Sequence, residues 1–232
     1  MVATCLLFQG RENNGMTTRL FAVCSILCLV IFASICHADT VTLTLKSATN
    51  NDGSVYTYPY QFSINGSSKL VSLMCDDYKD DVQFGESWQA NVFTVAQAGT
   101  NNFMNVANSA FVYEEAAWLY SQALGHESDS AYENAINHAV WDLMDPNAPH
   151  FSDAGTWLAQ AGSVVPTLPS SYFNDYYFYT FAGGTPTGPN APYHTPAQEY
   201  IGHAPEPASL VLFGSGLLAI GGAVRQRVKK QA

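Results

Sequence analysis

Two apolar runs bracket this chain and leave a single stretch between them that can build a water-exposed domain. Residues 20–33 follow Arg19, and residues 208–224 precede Arg225, Arg227, Lys229 and Lys230. Neither run carries the polar side chains that one face of a surface helix or strand needs. The intervening segment, 39–204, holds about 165 residues, enough for one ordinary domain with its own core.

The first run has the order of a secretory signal peptide: a cation, an apolar centre, then Cys36-His37-Ala38 as a small-residue cleavage site. Residues 1–38 are therefore read as a leader, with cleavage after Ala38. Met16-Thr17-Thr18-Arg19 supplies a normal short start, so residues 1–15 are either a misassigned beginning, with the true start at Met16, or an extended leader. A retained N-terminal anchor is disfavoured by the short apolar centre. Removal of the leader takes Cys5, Cys24, Cys28 and Cys36 with it. Cys75 is then the only cysteine, and no internal disulfide is available in a compartment that favours one.

The second run follows Pro205-Glu206-Pro207 and is about 17 residues long, at the lower limit for a helix that crosses a bilayer. The cations behind it set its far end on the cytoplasmic side. A tripeptide, a membrane helix and a basic end in this order closely resemble the PEP-CTERM sorting signal of Gram-negative bacterial surface proteins. The resemblance implies that an exosortase-type membrane transpeptidase cuts near the tripeptide. The chain would be exported through the inner membrane, anchored transiently by the helix, and passed to the cell surface or the exterior. A permanent tail anchor is the competing reading. The tail, 205–232, speaks to destination and leaves the work of the domain open.

Residues 39–204 contain three lysines (Lys46, Lys69, Lys79), no arginine and seventeen acidic residues. That balance argues against nucleic acid and against acidic polymers or anionic lipid as direct partners. The abundance of Tyr, Phe and Trp argues against a disordered acidic chain. Apolar alternation predicts strands over 40–45, 55–64 and 70–75, with Asn65-Gly66 as a tight hairpin turn. A strand over 92–95 is a further candidate. Helical spacing follows over 108–124 and then from Ser130, with Ser130 and Glu133 as a capping box, to Pro146. A third helix is expected over 152–161. An aromatic strand is expected over 172–181, and a last short strand or the approach to the membrane over 198–201. Residues 185–204 are rich in Pro, Gly and Thr and read as a stalk. The expected fold is α+β, an antiparallel β-sandwich or barrel with a helical insertion over 39–184, plus one C-terminal membrane helix.

One constellation suggests chemistry. Cys75 closes a strand, and Asn137-His138-Ala139-Val140-Trp141 lies on the second long helix. This order resembles the thioester domains of bacterial surface adhesins, where a cysteine joins the glutamine of a Thr-Gln-x-Ala-Ile-Trp motif and captures amines. Asn137 replaces the glutamine and Ile136 the threonine. The missing methylene would hold the carboxamide carbon short of the sulfur, and a misplacement of about 1 Å can cost on the order of 100-fold in such reactions. The expectation is a scaffold that keeps Cys75 and Asn137 as a remnant, with Cys75 as a small buried hydrophobe and Trp118 and Trp141 in the core.

Asp76, Asp77, Asp80 and Asp81 are dense enough to suggest calcium but lack EF-hand spacing, so a solvated acidic loop is expected and no cofactor or metal is assigned. His138 and Asp142 are read as a surface pair on one helix face. A cysteine hydrolase built from Cys75, His138 and Asp142 is a third, remote class. The reading favoured over it and over the covalent adhesin is a non-catalytic surface or matrix protein that associates with exopolysaccharide, in a biofilm or in adhesion to other cells.

Overall fold

The computed structural model describes residues 39–189 and 196–203. Alternation of leucine with threonine starts β1 (Asp39–Asn51), which returns through a turn at residues 52–55 into β2 (Tyr56–Ile64). Asn65 and Gly66 both take positive φ, 52° and 73°, the two left-handed positions that a tight hairpin turn requires. β3 (Leu70–Cys75) follows, then β4 (Ser87–Thr94), β5 (Tyr176–Phe181) and β6 (Tyr200–His203). All neighbours are antiparallel, and the order β1-β2-β3-β6-β5-β4 closes on itself as a barrel. Of the two expected architectures the barrel is the one formed. Closure removes the unpaired edges that an open sheet would expose.

The helical insertion lies between β4 and β5: α1 (Val95–Asn101), α2 (Ser109–Ala123), α3 (Ser130–Met144) and α4 (Gly155–Val164). α1 was absent from the apolar pattern, because its start is set by side chains: Thr94 and Gln97 form a capping box. The box expected at Ser130 and Glu133 does not form. Asp129 caps α3 by accepting from the Tyr132 N–H at 3.2 Å, while the Ser130 hydroxyl donates to Asn50 Oδ1 on β1 at 2.9 Å.

Strand alternation divides the interior in two. Leu43, Phe62, Leu73, Cys75, Trp88, Tyr179 and Tyr200, drawn from all six strands, pack together inside the barrel. Their outward neighbours Met74, Phe178 and Ile201 pack against α2 and α3 through Tyr113, Ala117, Ile136 and Val140. Burial on both faces explains why β5 is almost wholly aromatic.

β6 lies inside the segment read as a stalk. It completes the barrel between β3 and β5, so the folded domain runs through His203, not to residue 184. Gly202 adds no side chain to an alternating pattern, and a Cβ there would stand 2.5 Å from Leu73 Cδ2. Thr187 also belongs to the body of the domain, bridging Ser87. No helix among the described residues is long and apolar enough to cross a membrane. The expected leader, 1–38, and tail, 205–232, lie outside those residues.

Candidate functional site

The end of β3 carries the candidate chemistry. The β2–β3 ladder pairs Tyr60 with Leu73 and goes no further. Two residues on, that register would set Tyr58 against Cys75. There the carboxamide of Asn137, from α3, fills the gap: the Tyr58 N–H donates to Asn137 Oδ1 at 2.8 Å, and Asn137 Nδ2 donates to the Cys75 carbonyl at 2.8 Å. Asn137 thus behaves as a side-chain rung between two strands, satisfying main-chain groups that burial would otherwise orphan. The expected pair is brought together, but through the cysteine's backbone.

The Cys75 thiol donates to the Asp77 carbonyl at 3.1 Å and is fully buried. Burial pushes its pKa well up, and the nearby Asp77 and Asp76 carboxyls add to the rise. A backbone hydrogen bond from Asp77 and the Trp141 indole, beside the sulfur, work the other way and are outweighed. The environment favours a thiol over the nucleophilic thiolate. The expectation of a small buried hydrophobe holds for Cys75, and Trp118 and Trp141 lie in the core as expected.

The acidic loop differs from its expectation. Asp76 and Asp77 are buried, Asp80 is half-buried and only Asp81 is exposed. Asp77 Oδ1 accepts from the Lys79 and Asp80 amides at 3.0 and 3.2 Å, and burial still raises its pKa to about 6. Asp76 meets Glu199, one residue before β6, and Tyr113 of α2 donates to Glu199 Oε1 at 3.0 Å. As carboxylates, neither oxygen of Asp76 nor Glu199 Oε2 meets a donor. The two carboxyls form a hydrogen bond only when one carries a proton, and burial drives both pKa values upward. Among the described residues no group of three or more His, Cys, Asp or Glu is arranged to hold a metal ion. Glu199 and Tyr113 escaped sequence reading because nothing local marks a glutamate in a Pro-rich approach as buried.

His138 was expected on a surface beside Asp142. It is buried instead, with Nε2 3.2 Å from Asp52 Oδ2 and Nδ1 2.9 Å from Asp153 Oδ1, and its ring stacks on Phe151 at 3.9 Å. Asp142 turns away and accepts from the Phe151 N–H at 3.1 Å. A Cys75–His138–Asp142 relay is therefore not assembled. A one-turn offset on α3 separates the ring that faces Asp52 from the carboxyl that faces residues 150–151, and helical spacing alone does not reveal which partners the loops bring.

Comparison with known proteins bears on the tail alone. No curated protein and no solved structure matches the chain. Residues 203–227 match the PEP-CTERM protein-sorting motif, which begins at the last residue of β6. Pro205, Glu206, Pro207, Arg225 and Arg227 fall within that match, while Lys229 and Lys230 follow it. The chain carries the sorting signal of exported proteins handled by an exosortase and directed to the cell surface.

Proposed function

We propose that the barrel is a non-catalytic cell-surface or extracellular-matrix domain that works by non-covalent association with exopolysaccharide, in a biofilm or in adhesion to other cells. In this reading residues 208–224 anchor the chain transiently, and the exosortase-type transpeptidase releases it near Pro205-Glu206-Pro207. The observation that carries the non-catalytic reading is the state of Cys75 and Asn137. The sulfur is sealed from solvent, and the Asn137 carboxamide is occupied by the main chain of Tyr58 and Cys75.

A covalent adhesin is the second reading, favoured by the same closeness of Cys75 and Asn137. There the sulfur would displace the carboxamide nitrogen as ammonia and form an internal thioester, which an amine later opens to an amide with return of the thiol. Intact mass of the exported protein, before and after methylamine, separates the two. The expected result is a full mass, unchanged by methylamine, with one thiol alkylated only after unfolding. A mass short by one ammonia that becomes a methylamine adduct would overturn the non-covalent reading. The same spectrum locates the C-terminus: a mass that still includes residues 208–232 would contradict release.

A further inference from the structure

We infer that a cleft between the turn from β1 to β2, the loop from β3 to β4 and α3 is a binding site for a short segment of neutral polysaccharide; this rests on the surface-association reading and gives it a location. The cleft has a volume of about 400 Å³, within the roughly 300–1,000 Å³ typical of small-ligand sites. Its aromatic lining comes from separate parts of the chain: Tyr56 at the start of β2, Tyr78 and Phe84 in the loop from β3 to β4, and Trp141 on α3. Tyr56 and Phe84 stand with ring centroids 5.2 Å apart, and Tyr78 and Trp141 likewise at 5.2 Å. Tyr56 is 44% exposed and Phe84 40%, so the first pair presents ring surface to solvent.

The exposed ring surface of the Tyr56–Phe84 pair, whose planes are tilted 60° to each other, suits a ligand with alternating C–H and hydroxyl surfaces. Gln83, Ser54 and Asp81 supply donors and acceptors along the same lining. A pyranose ring offers both surfaces, and an aromatic side chain gives large contact area at little conformational cost. Other ligand classes fit less well. A peptide has no free strand edge to extend, since the barrel is closed. Acidic glycans and nucleic acid meet Asp81 in the lining and a domain with three lysines and no arginine.

The wall is also held ready. Asp52 Oδ1 accepts from the Ser54 and Val55 amides at 2.7 and 2.8 Å, and its other oxygen contacts His138. Ser54 and Val55 line the cleft, so α3 fastens one rim in place before any ligand arrives.

The test is titration of the exported protein, expressed from the full chain, with cellotetraose, laminaritetraose, maltotetraose and an alginate tetramer, read by calorimetry and by tryptophan fluorescence. At least one neutral tetrasaccharide should bind with a micromolar to millimolar Kd and perturb fluorescence, while the alginate tetramer binds at least tenfold more weakly. Phe84→Ala and Tyr56→Ala should each weaken binding about tenfold, with far-ultraviolet circular dichroism and cooperative thermal unfolding retained. Leu70→Ala, an exposed apolar change on β3 away from the cleft lining, should leave it unaltered. Binding of alginate at equal strength, or of no neutral sugar by a folded protein, overturns the site. If the protein still cosediments with the cells' own polysaccharide and Phe84→Ala changes nothing, surface association stands and the cleft is not its seat. Loss of cosedimentation in wild type as well removes both.

Discussion

Two polar sites flank the last residues of β3, are buried to the same depth, and are built in opposite ways. On one side the neutral Asn137 carboxamide meets one donor and one acceptor of the main chain, at 2.8 Å each. On the other, Asp76 and Glu199 press two acids together with a single phenol donor, and leave carboxyl oxygens without partners. The first is satisfied whatever the pH. The second is satisfied only when it holds a proton. The contrast shows that burial alone says little about a polar residue's role; what matters is whether its partners are complete.

Asn137→Leu should break the first site. It removes the rung and strands the Tyr58 N–H and the Cys75 carbonyl in the interior, each costing about 1–3 kcal/mol. The urea midpoint of the exported protein should fall by an amount equivalent to several kcal/mol. A shift under about 0.5 kcal/mol, the range of ordinary surface changes, would contradict the rung.

The acid site predicts a pH dependence with a definite sign. A carboxyl kept protonated by burial binds its proton more tightly in the folded state. It therefore contributes stability that is complete below the unfolded carboxylate range and is lost as pH rises to the folded value. The unfolded range is near pH 4; burial raises Asp76 and Glu199 above it, pushes the adjacent Asp77 up to about 6, and, outside this site, pushes the buried Glu133 of α3 up to about 8. Thermal stability should accordingly decline from about pH 4 to about pH 8, whereas an ordinary acidic surface would give its maximum nearer neutrality. The melting temperature should drop across that window by at least about 2–4 °C, the shift that 1 kcal/mol makes in a domain of this size. Glu133→Gln, which removes a buried carboxyl that lacks donors, should flatten the upper part of the window. A melting temperature that climbs between pH 5 and 8 would show that these groups ionise without cost.

These two sites also mark how far the sequence was legible. β2, β3, their hairpin and the first half of β1 were readable because alternation and Asn65-Gly66 are local signals; residues 46–51 continue β1 through two register shifts that break the alternation. The stripe Ile136, Ala139 and Val140 gave α3 for the same reason. Cys75 and Asn137 were singled out together by a resemblance of pattern, and they do meet. What escaped was whatever depended on residues far apart in the chain. Glu199 acquires its meaning from Asp76, more than a hundred residues earlier, and His138 takes its partners from a β-turn and from the loop before α4. β6 was half seen because a four-residue strand with Gly202 in it has little alternation to show. Composition cannot encode these pairings; barrel closure creates the first, and the packing of α3 against the turn after β1 and the loop before α4 creates the second.

Trp141→Ala sharpens the comparison at the sulfur that lies between the two sites. Trp141 lines the cleft, and Cys75 does not. Removal of the indole should cost about 3–5 kcal/mol, as large aromatic truncations in cores do, and should open a path from the cleft to the thiol. Alkylation of Cys75 in the native state should then be faster than in the wild type, and slower at neutral pH than at pH 9, since Asp77 and Asp76 continue to disfavour the thiolate. Equal rates at both pH values would indicate an activated cysteine.

Cys75→Ala should be the mildest of these changes. A thiol that only fills space and donates weakly to the Asp77 carbonyl contributes about 1 kcal/mol through packing. The Asn137 rung uses the main chain of residue 75 and is indifferent to its side chain, so the stability difference between wild type and Asn137→Leu should persist in the Cys75→Ala background. Neighbours in one hydrogen-bond network couple by about 0.5–3 kcal/mol; because the contact here runs through the carbonyl of residue 75, which Cys75→Ala retains, a coupling at the low end of that range is the expected outcome. Strong coupling would mean that sulfur and carboxamide act on each other directly. In that event the covalent reading of the pair would replace the structural one.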